Sequence, residues 1–476
     1  MGIRFGCAAL AAALTFIVGC AGVPIESGRT AVLDLVKVRT DTATSKSAAA
    51  GAAMESTDRT RAPADTVQHV RDRLSEPLQV ATAVQIALSR NPELQLQFAR
   101  LGVSAADVFD ASRLSNPELS LAVLLPLGDA TGNKESAGVT LGFSDLLLRH
   151  ARAGMATSEY QRTQELVAAA ILNLGIEVQQ AWFDCVGATQ RAVIRQTVDE
   201  AAQTTAELAR RYHEAGNINQ LTLQIDVAAA SEAHIALLRA RGELAEARAR
   251  LQSLLGLSAA EAHWTVPATL PEPLTTEPQV STLQSLAMTQ RLDLAAARTH
   301  VSTLQQQMAA IRRYRFLGAS TVGAAGEREA DGTRRIGPSL SLALPLFNQG
   351  QGAIARIAAE LDAAQAKQRQ LELQIDNDVQ RQSDRMQLAH EQARSYRDGL
   401  IPEREAVVAR LQEQVNFMLT DTFTLLLAKQ QEYAAYEGYI EAVHGYWSAR
   451  VELMRAVGAR LPDGTPSKTP PQEVQP

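Results

Sequence analysis

The segment Ala87-Leu88-Ser89-Arg90-Asn91-Pro92-Glu93-Leu94 returns 200 positions later as Ala287-Met288-Thr289-Gln290-Arg291-Leu292-Asp293-Leu294. The same order of elements follows each copy: a helical stretch, a short alternating segment, a Gly-containing turn, a second alternating segment, and a very long helical run. A duplication of this size points to one architecture with internal pseudo-symmetry rather than two unrelated domains. It also argues against an active site, because nothing chemically special stands in one half alone.

The long runs are the second constraint. From His150 to about Ala215 no strong breaker interrupts the helical pattern, and no proline occurs between Pro126 and Pro267. At 1.5 Å per residue such a helix is roughly 100 Å long. No compact soluble domain needs that length, so the run reads as coiled coil or as part of a tube. Aromatic residues make up only 4% of the chain, while Ala, Leu, Gln, Glu and Arg dominate. This is the composition of long helices packed closely.

Finer punctuation gives boundaries. Residues 1–19 open with a basic start and a short apolar run, the pattern of a secretory signal. Ile17-Val18-Gly19-Cys20 fits a lipobox, which makes Cys20 the expected lipidation site of the mature chain. Residues 20–76 are expected to be the lipid anchor and a flexible tether. The first repeat covers 77–266, a Pro-rich linker 267–277, the second repeat 278–460, and a disordered tail 461–476.

Within the first repeat, Asn116-Pro117 ends a helix and Glu118 to Val123 alternates as a strand. A loop through Gly128 to Asn133 leads to a second alternating segment, Gly138 to Ser144. The counterpart hairpin runs from Ala319 to Ala324, through a loop at Gly326 and Asp331-Gly332, to Ser339–Pro345. The first long run turns at residues 215–219, with Gly216 placed where a helix would end. The second run, from about Gln351 to Asn416, turns near Met418-Leu419-Thr420-Asp421, and Gly399 and Pro402 are expected to bend it.

The net charge of −6 leaves no basic footprint for nucleic acid. Eight histidines are scattered and form no H-x-H, H-E-x-x-H or C-x-x-C arrangement, so no metal ligands, cofactor or catalytic residues are expected. With Cys7 in the leader, Cys185 is the one thiol left unmodified, and it is expected to pack as a small apolar residue.

Two hairpins per chain would leave open sheet edges, and lipid offers no hydrogen bonds to an unpaired backbone. Several chains pooling their hairpins into one closed barrel resolves this, with the helices pooled into a second tube.

At this point the sequence resembles a known family, the TolC-like outer-membrane efflux proteins in their lipid-anchored form. The carrying residues are Ala87-Leu88 with Asn91-Pro92-Glu93-Leu94, Arg113-Leu114-Ser115-Asn116-Pro117, Tyr212-His213-Glu214-Ala215-Gly216-Asn217, and Leu344-Pro345-Leu346-Phe347-Asn348-Gln349-Gly350. The resemblance covers roughly residues 77–460. It implies a mainly α fold with β: antiparallel helical hairpins forming a periplasmic α-barrel, and two β-hairpins per chain in a trimeric 12-strand outer-membrane barrel.

It further implies a homotrimer in the outer-membrane lipid and a passive exit duct. A periplasmic adaptor (membrane fusion) protein and an inner-membrane efflux pump would be its partners. Gly216, Asn217, Met418, Leu419 and Thr420 would lie at the tip that meets the adaptor. Met418 stands where the family usually has glycine, and Leu427 where it often has an acid. Asp421 and Asp226 remain as candidate gate acids; against this, Asp421 could cap the next helix and Asp226 could be a solvated face residue. The Phe417-Met418-Leu419 run is expected either to fill the groove between helices or to meet the adaptor. Alternatives are a channel for type I protein secretion, or a coiled-coil envelope lipoprotein, which would have no use for paired hairpins.

Overall fold

The computed structural model describes residues 27–40, 74, 76–125, 133–261, 263–316, 318 and 320–461. The leader, Cys20, most of the 20–76 segment, the first hairpin loop at 126–132 and residues 462–476 lie outside the described residues. The chain divides into two compact units. One comprises the chain up to Val32, Gln97–Val167 and Ala295–Gln368; the other comprises Leu33–Leu96, Ala168–Leu294 and the chain from Arg369.

The elements run α1 (Ser27–Arg39), α2 (Val80–Arg90), α3 (Pro92–Ala111), β1 (Glu118–Leu124), β2 (Lys134–Gly142), α4 (Phe143–Glu214) and α5 (Gln220–Leu254). The second repeat gives α6 (Val280–Gln290), α7 (Leu292–Tyr314), β3 (Ser320–Arg328), β4 (Arg334–Leu342), α8 (Gln351–Ser395), α9 (Ile401–Asn416) and α10 (Thr422–Val457). Each element of the first repeat from α2 to α5 thus has a counterpart, with α8 and α9 together standing for α4.

In the first unit, β1 to β4 form one antiparallel sheet in sequence order. The two hairpins are joined by β2 and β3, which pair Val139 with Ala324 and Ala137 with Gly326. Gly326, expected in the second hairpin loop, is a strand residue paired on both sides, also to Ile336. The turn is Glu329–Thr333, closed by Glu329 N–H to Thr333 O at 3.0 Å. The weak alternation of Ala324-Ala325-Gly326 hid the strand, which its two neighbours fix.

In the second unit, a core of Leu283, Leu294, Ile375, Val379, Tyr446 and Leu453 is closed to solvent. Two elbows repeat here with different chemistry. Asn91 (φ −66°, ψ 121°) separates α2 from α3, and Arg291 (φ −64°, ψ 115°) separates α6 from α7. The Asn91 amide donates to Leu254 O at 3.0 Å, at the end of α5. The Arg291 guanidinium donates to Ala456 O at 3.1 Å, at the end of α10, and its Nε pairs with Asp293 at 2.8 Å. Both side chains satisfy last-turn carbonyls that a helix leaves without a partner. The returning helices then stop at Gly256 and Gly458, both left-handed, with φ of 66° and 73°.

The inter-repeat linker is strapped to α10. The Trp447 indole donates to Pro271 O at 2.7 Å, Tyr446 and Arg450 hold Glu277, and Leu274 N–H donates to the Tyr446 hydroxyl at 3.1 Å.

Two expectations need correction. The segment read as tether contains α1, whose Val32 and Val36 are buried and whose Arg39 donates to Gln290 O at 2.7 Å. Ala31, Val32, Leu35 and Val36 give that stretch a short apolar stripe that the Ser- and Thr-rich surroundings obscured. Leu461, expected to begin the tail, is 1% exposed and completes the core. The bend expected at Gly399 and Pro402 is a π turn, Tyr396–Leu400, in which Ile401 N–H donates to Tyr396 O. A proline in helix lacks an N–H and crowds the preceding turn; the wider turn takes up Pro402, two residues after the π segment. The Tyr396 ring lies against Gly438, where a Cβ would stand 2.6 Å from it.

At Gly256 a left-handed backbone meets close packing: an added Cβ would lie 2.8 Å from Arg90 O. Gly256→Ala is therefore expected to lower stability by more than the ~1–2 kcal/mol of the backbone conformation alone, read as a drop in thermal midpoint of the purified protein.

Candidate functional site

The sheet has two chemically different faces. Cross-strand partners share a face, so the register places Leu119, Leu121 and Val123 beside Val139 and Ala137, then Val322, Ala324 and Gly326, then Leu340, Pro338 and Ile336. This face is apolar for the middle of every strand. Leu121 is 71% and Ile336 87% exposed within the chain. The opposite face carries Glu118, Ser120, Thr140, Ser136, Thr321, Ser341 and Ser339 with small residues between. Apolar and polar positions alternating along each strand, with little buried on either side, suit a wall between lipid and water. The outer edges of β1 and β4 have no strand partner among the described residues.

The turns at residues 215–219 and 417–421 share one hydrogen-bond pattern. Gly216 N–H donates to His213 O at 2.9 Å and Asn217 N–H to Tyr212 O at 2.8 Å. Met418 N–H donates to Val415 O at 2.9 Å and Leu419 N–H to Gln414 O at 2.8 Å. Both are the motif in which a left-handed residue closes a helix C-terminus. Gly216 takes φ 75° at no steric cost, whereas Met418 takes φ 56°, the single positive-φ non-glycine among the described residues. The next helices are capped alike: the Asn219 side chain accepts from Thr222 N–H at 2.9 Å and Asp421 from Thr424 N–H at 2.8 Å. The rings of Tyr212 and Phe423 meet edge to face at 6.1 Å, so the two turns lie side by side.

Phe417, Met418 and Leu419 are 75%, 93% and 75% exposed. They do not fill a groove within the chain, contrary to one of the two expectations; the turn geometry projects them outward. Thr420 is half-buried and Leu427 exposed.

The gate candidates separate. Asp421 is the cap of α10, and its bonds to Thr424 hold its carboxyl below the ordinary value. Asp226 is partly buried, not solvated as expected for a face residue: its Oδ2 is enclosed without a hydrogen-bond partner, and burial pushes its pKa up. Cys185 is fully buried and unpaired, with burial pushing its thiol up to about 11, as expected of a small packing residue. Among the described residues no three His, Cys, Asp or Glu side chains gather as metal ligands. The sequence reading passed over the arginines at the helix–strand junctions, although the run Arg312-Arg313-Tyr314-Arg315-Phe316 was visible in it.

Residues 83–257 match the family model described as outer membrane efflux protein. Among curated proteins none matches the sequence. Among solved structures, a membrane protein from Pseudomonas aeruginosa is similar with 18% identity and a TM-score of 0.67, over 80% of this chain and 92% of that one. The outer membrane protein VceC from Vibrio cholerae is 18% identical with a TM-score of 0.65, over 80% of this chain and 96% of that one. The Campylobacter jejuni CmeC outer membrane channel is 14% identical with a TM-score of 0.68, over 80% and 86%.

The fold is that of the TolC-like outer-membrane channels, as the sequence led us to expect. Over residues 83–257 in particular, the chain carries the sequence pattern of the outer membrane efflux protein family, whose members are channel proteins and not enzymes.

Two substitutions read the site. Met418→Gly is expected to stabilise the protein by about 1 kcal/mol, since glycine adopts the left-handed conformation without the Cβ clash; an unchanged or lowered thermal midpoint would count against strain at this turn. A carboxyl whose pKa is raised in the fold is neutral in both states at low pH and costs stability as the pH rises above its unfolded value, the cost being complete above its folded value. Asp226→Asn should therefore raise the thermal midpoint at pH 7 and leave it unchanged near pH 3. A loss of stability at pH 7 would mean that the carboxylate has a partner in the assembled protein.

Proposed function

We propose that this protein is a passive exit duct of the outer membrane, assembled as a homotrimer and fed by an inner-membrane efflux pump through a periplasmic adaptor. One observation carries the reading: a four-stranded sheet with one apolar face, one polar face and, among the described residues, both edges unpaired. In hydrocarbon each open backbone group costs several kcal/mol, so the edges must meet strands of other copies. Three copies of four strands make a closed barrel of twelve, a number within the range of outer-membrane barrels. The family match and the likeness to solved outer-membrane channels support the same assignment.

In this reading the sheet spans the outer membrane and the long helices line a periplasmic tunnel. Gly216, Asn217, Met418, Leu419 and Thr420 form the tip, and exposed Phe417, Met418 and Leu419 supply apolar contacts to the adaptor. Cys20 carries the lipid, palmitate among its acyl chains, after removal of residues 1–19. Asp226 is the better gate candidate of the two acids. Its enclosed, unpartnered oxygen would be repeated three times in a trimer, while Asp421 is engaged as a cap.

The duct hydrolyses nothing and needs no cofactor. The cargo is small molecules or metal ions selected by the pump. Accumulation in a deletion strain tests this. Retention of heavy-metal ions assigns a metal-export pump, retention of dyes and antibiotics assigns multidrug efflux, and no change in either points to a redundant duct or to type I protein secretion.

Assembly and anchoring give separate readouts. Ala206 is 1% exposed deep in α4, and Ala206→Pro is expected to abolish trimer formation, since proline breaks a helix interior at a cost of about 3 kcal/mol or more. Wild-type trimer yield on crosslinking would argue against a helical tunnel. Cys20→Ser should leave assembled protein in the outer-membrane fraction, because the barrel holds it there; a soluble variant would instead support a coiled-coil lipoprotein.

A further inference from the structure

The helices meet the sheet in four stretches, residues 112–117, 143–155, 310–316 and 343–350. All four lie at one end of it, where β1 and β3 begin and β2 and β4 finish. These stretches hold six arginines (Arg113, Arg149, Arg152, Arg312, Arg313 and Arg315) and one carboxylate, Asp145, a formal balance of six minus one, or +5. The other end of the sheet is balanced. Residues 133–135 and 327–335 hold four basic and four acidic side chains, and Lys134 pairs with Glu327 at 3.1 Å and Arg328 with Glu135 at 3.7 Å. The excess of cations is therefore a property of one rim.

Arg152 pairs with Asp145 at 2.8 Å, and Arg149 donates to Ser112 O at 2.8 Å. Arg312, Arg313 and Arg315 make no ion pair with a carboxylate among the described residues. Arg315 lies over the Phe316 ring at 4.4 Å. The same four stretches also carry exposed apolar side chains: Phe316, Leu344, Leu346 and Phe347, the last 96% exposed. Between the first turns of α4 and the last turns of α7 runs a groove of about 270 Å³. Leu148, Ala151, Met155, Ala310 and Ile311 make its apolar lining, and Arg152 and Arg315 are among its walls.

We propose that this rim and groove bind an anionic phospholipid, with the phosphate on the arginines and part of an acyl chain in the groove. The inference rests on the reading of the sheet as membrane-spanning, which sets this rim at a bilayer surface. A free phosphate would satisfy the arginines and leave Leu148, Ile311 and Phe347 against water. A neutral apolar ligand would fill the groove and offer no anion to Arg312, Arg313 and Arg315. An amphiphile with a negative head answers both, and basic side chains at an anionic membrane surface each contribute about 1 kcal/mol. Guanidinium also suits phosphate through paired N–H donors, and Arg152 retains donors beyond the one given to Asp145.

The test inserts the full-length protein into nanodiscs of phosphatidylcholine mixed with phosphatidylglycerol, releases it into detergent, and measures the co-purifying lipids. Wild type is expected to retain phosphatidylglycerol over phosphatidylcholine. Arg152→Gln with Arg315→Gln should lower that preference by about fivefold per arginine, the factor equivalent to roughly 1 kcal/mol. Ala310→Leu, which fills the groove and keeps every charge, should reduce total retained lipid. Arg334→Gln with Arg335→Gln, at the balanced rim, should change neither.

Equal retention of the two lipids by wild type, or an unchanged preference in the Arg152 and Arg315 variant, would overturn the proposal while leaving the membrane reading intact. A wild-type protein that enters no nanodisc would overturn the membrane reading itself.

Discussion

An unpaired backbone cannot sit in hydrocarbon. The proposed function of this molecule turns on that constraint. The sheet buries almost nothing within the chain, and its apolar side chains point outward from the middle of each strand. In water such a surface would be an aggregation hazard at both edges. In the proposed membrane setting, lipid would remove the penalty on the apolar face and sharpen the demand on the edges, and the single chain would depend on an assembly for its stability. The helices obey the opposite logic. They satisfy their own backbone, so their packing is free to use small side chains, which is why alanine recurs along their buried positions.

The duplication is kept in geometry and released in chemistry. Asn91 and Arg291 reach the same backbone conformation and the same kind of carbonyl with an amide in one copy and a guanidinium in the other. At the tips, Asn219 and Asp421 each cap with one side-chain oxygen, one neutral and one charged. Burial in the middle of the second unit leaves little room for such variation: Tyr446 and Leu453 are closed to solvent, and Trp182 fixes its indole on Leu78 O at 2.6 Å. Between the two repeats the position of each hydrogen-bonding group is kept while the residue supplying it differs.

Much of the fold was legible because its signals are local and repeated. Helix ends at Gly216, Gly256 and Gly458, the N-cap at Asp421 and the strand beginning at Glu118 all follow from residue type and spacing. The parts that were not legible depend on partners distant in sequence. Gly326 is a strand residue only because Ala137 and Ile336 flank it. The helix Ser27–Arg39 sits in Ser- and Thr-rich surroundings, and contacts such as Arg39 to Gln290 O hold it. Enclosure of the Asp226 oxygen is likewise a three-dimensional fact that no spacing encodes. The rim arginines were readable one by one, but only the sheet register gathers them at one end.

The π turn at Tyr396–Leu400 makes the two repeats mechanically unequal. The outgoing helix of the first repeat, α4, runs unbroken for 72 residues. Its counterpart is spliced from α8 and α9 through a segment whose ladder is one residue wider, followed by a proline that offers no N–H. A bending load shared by the two would concentrate at the splice, where the Tyr396 ring rests on Gly438 beside Ala442 and Val443. One arm of the duplicated unit is a strut, and the other contains a joint.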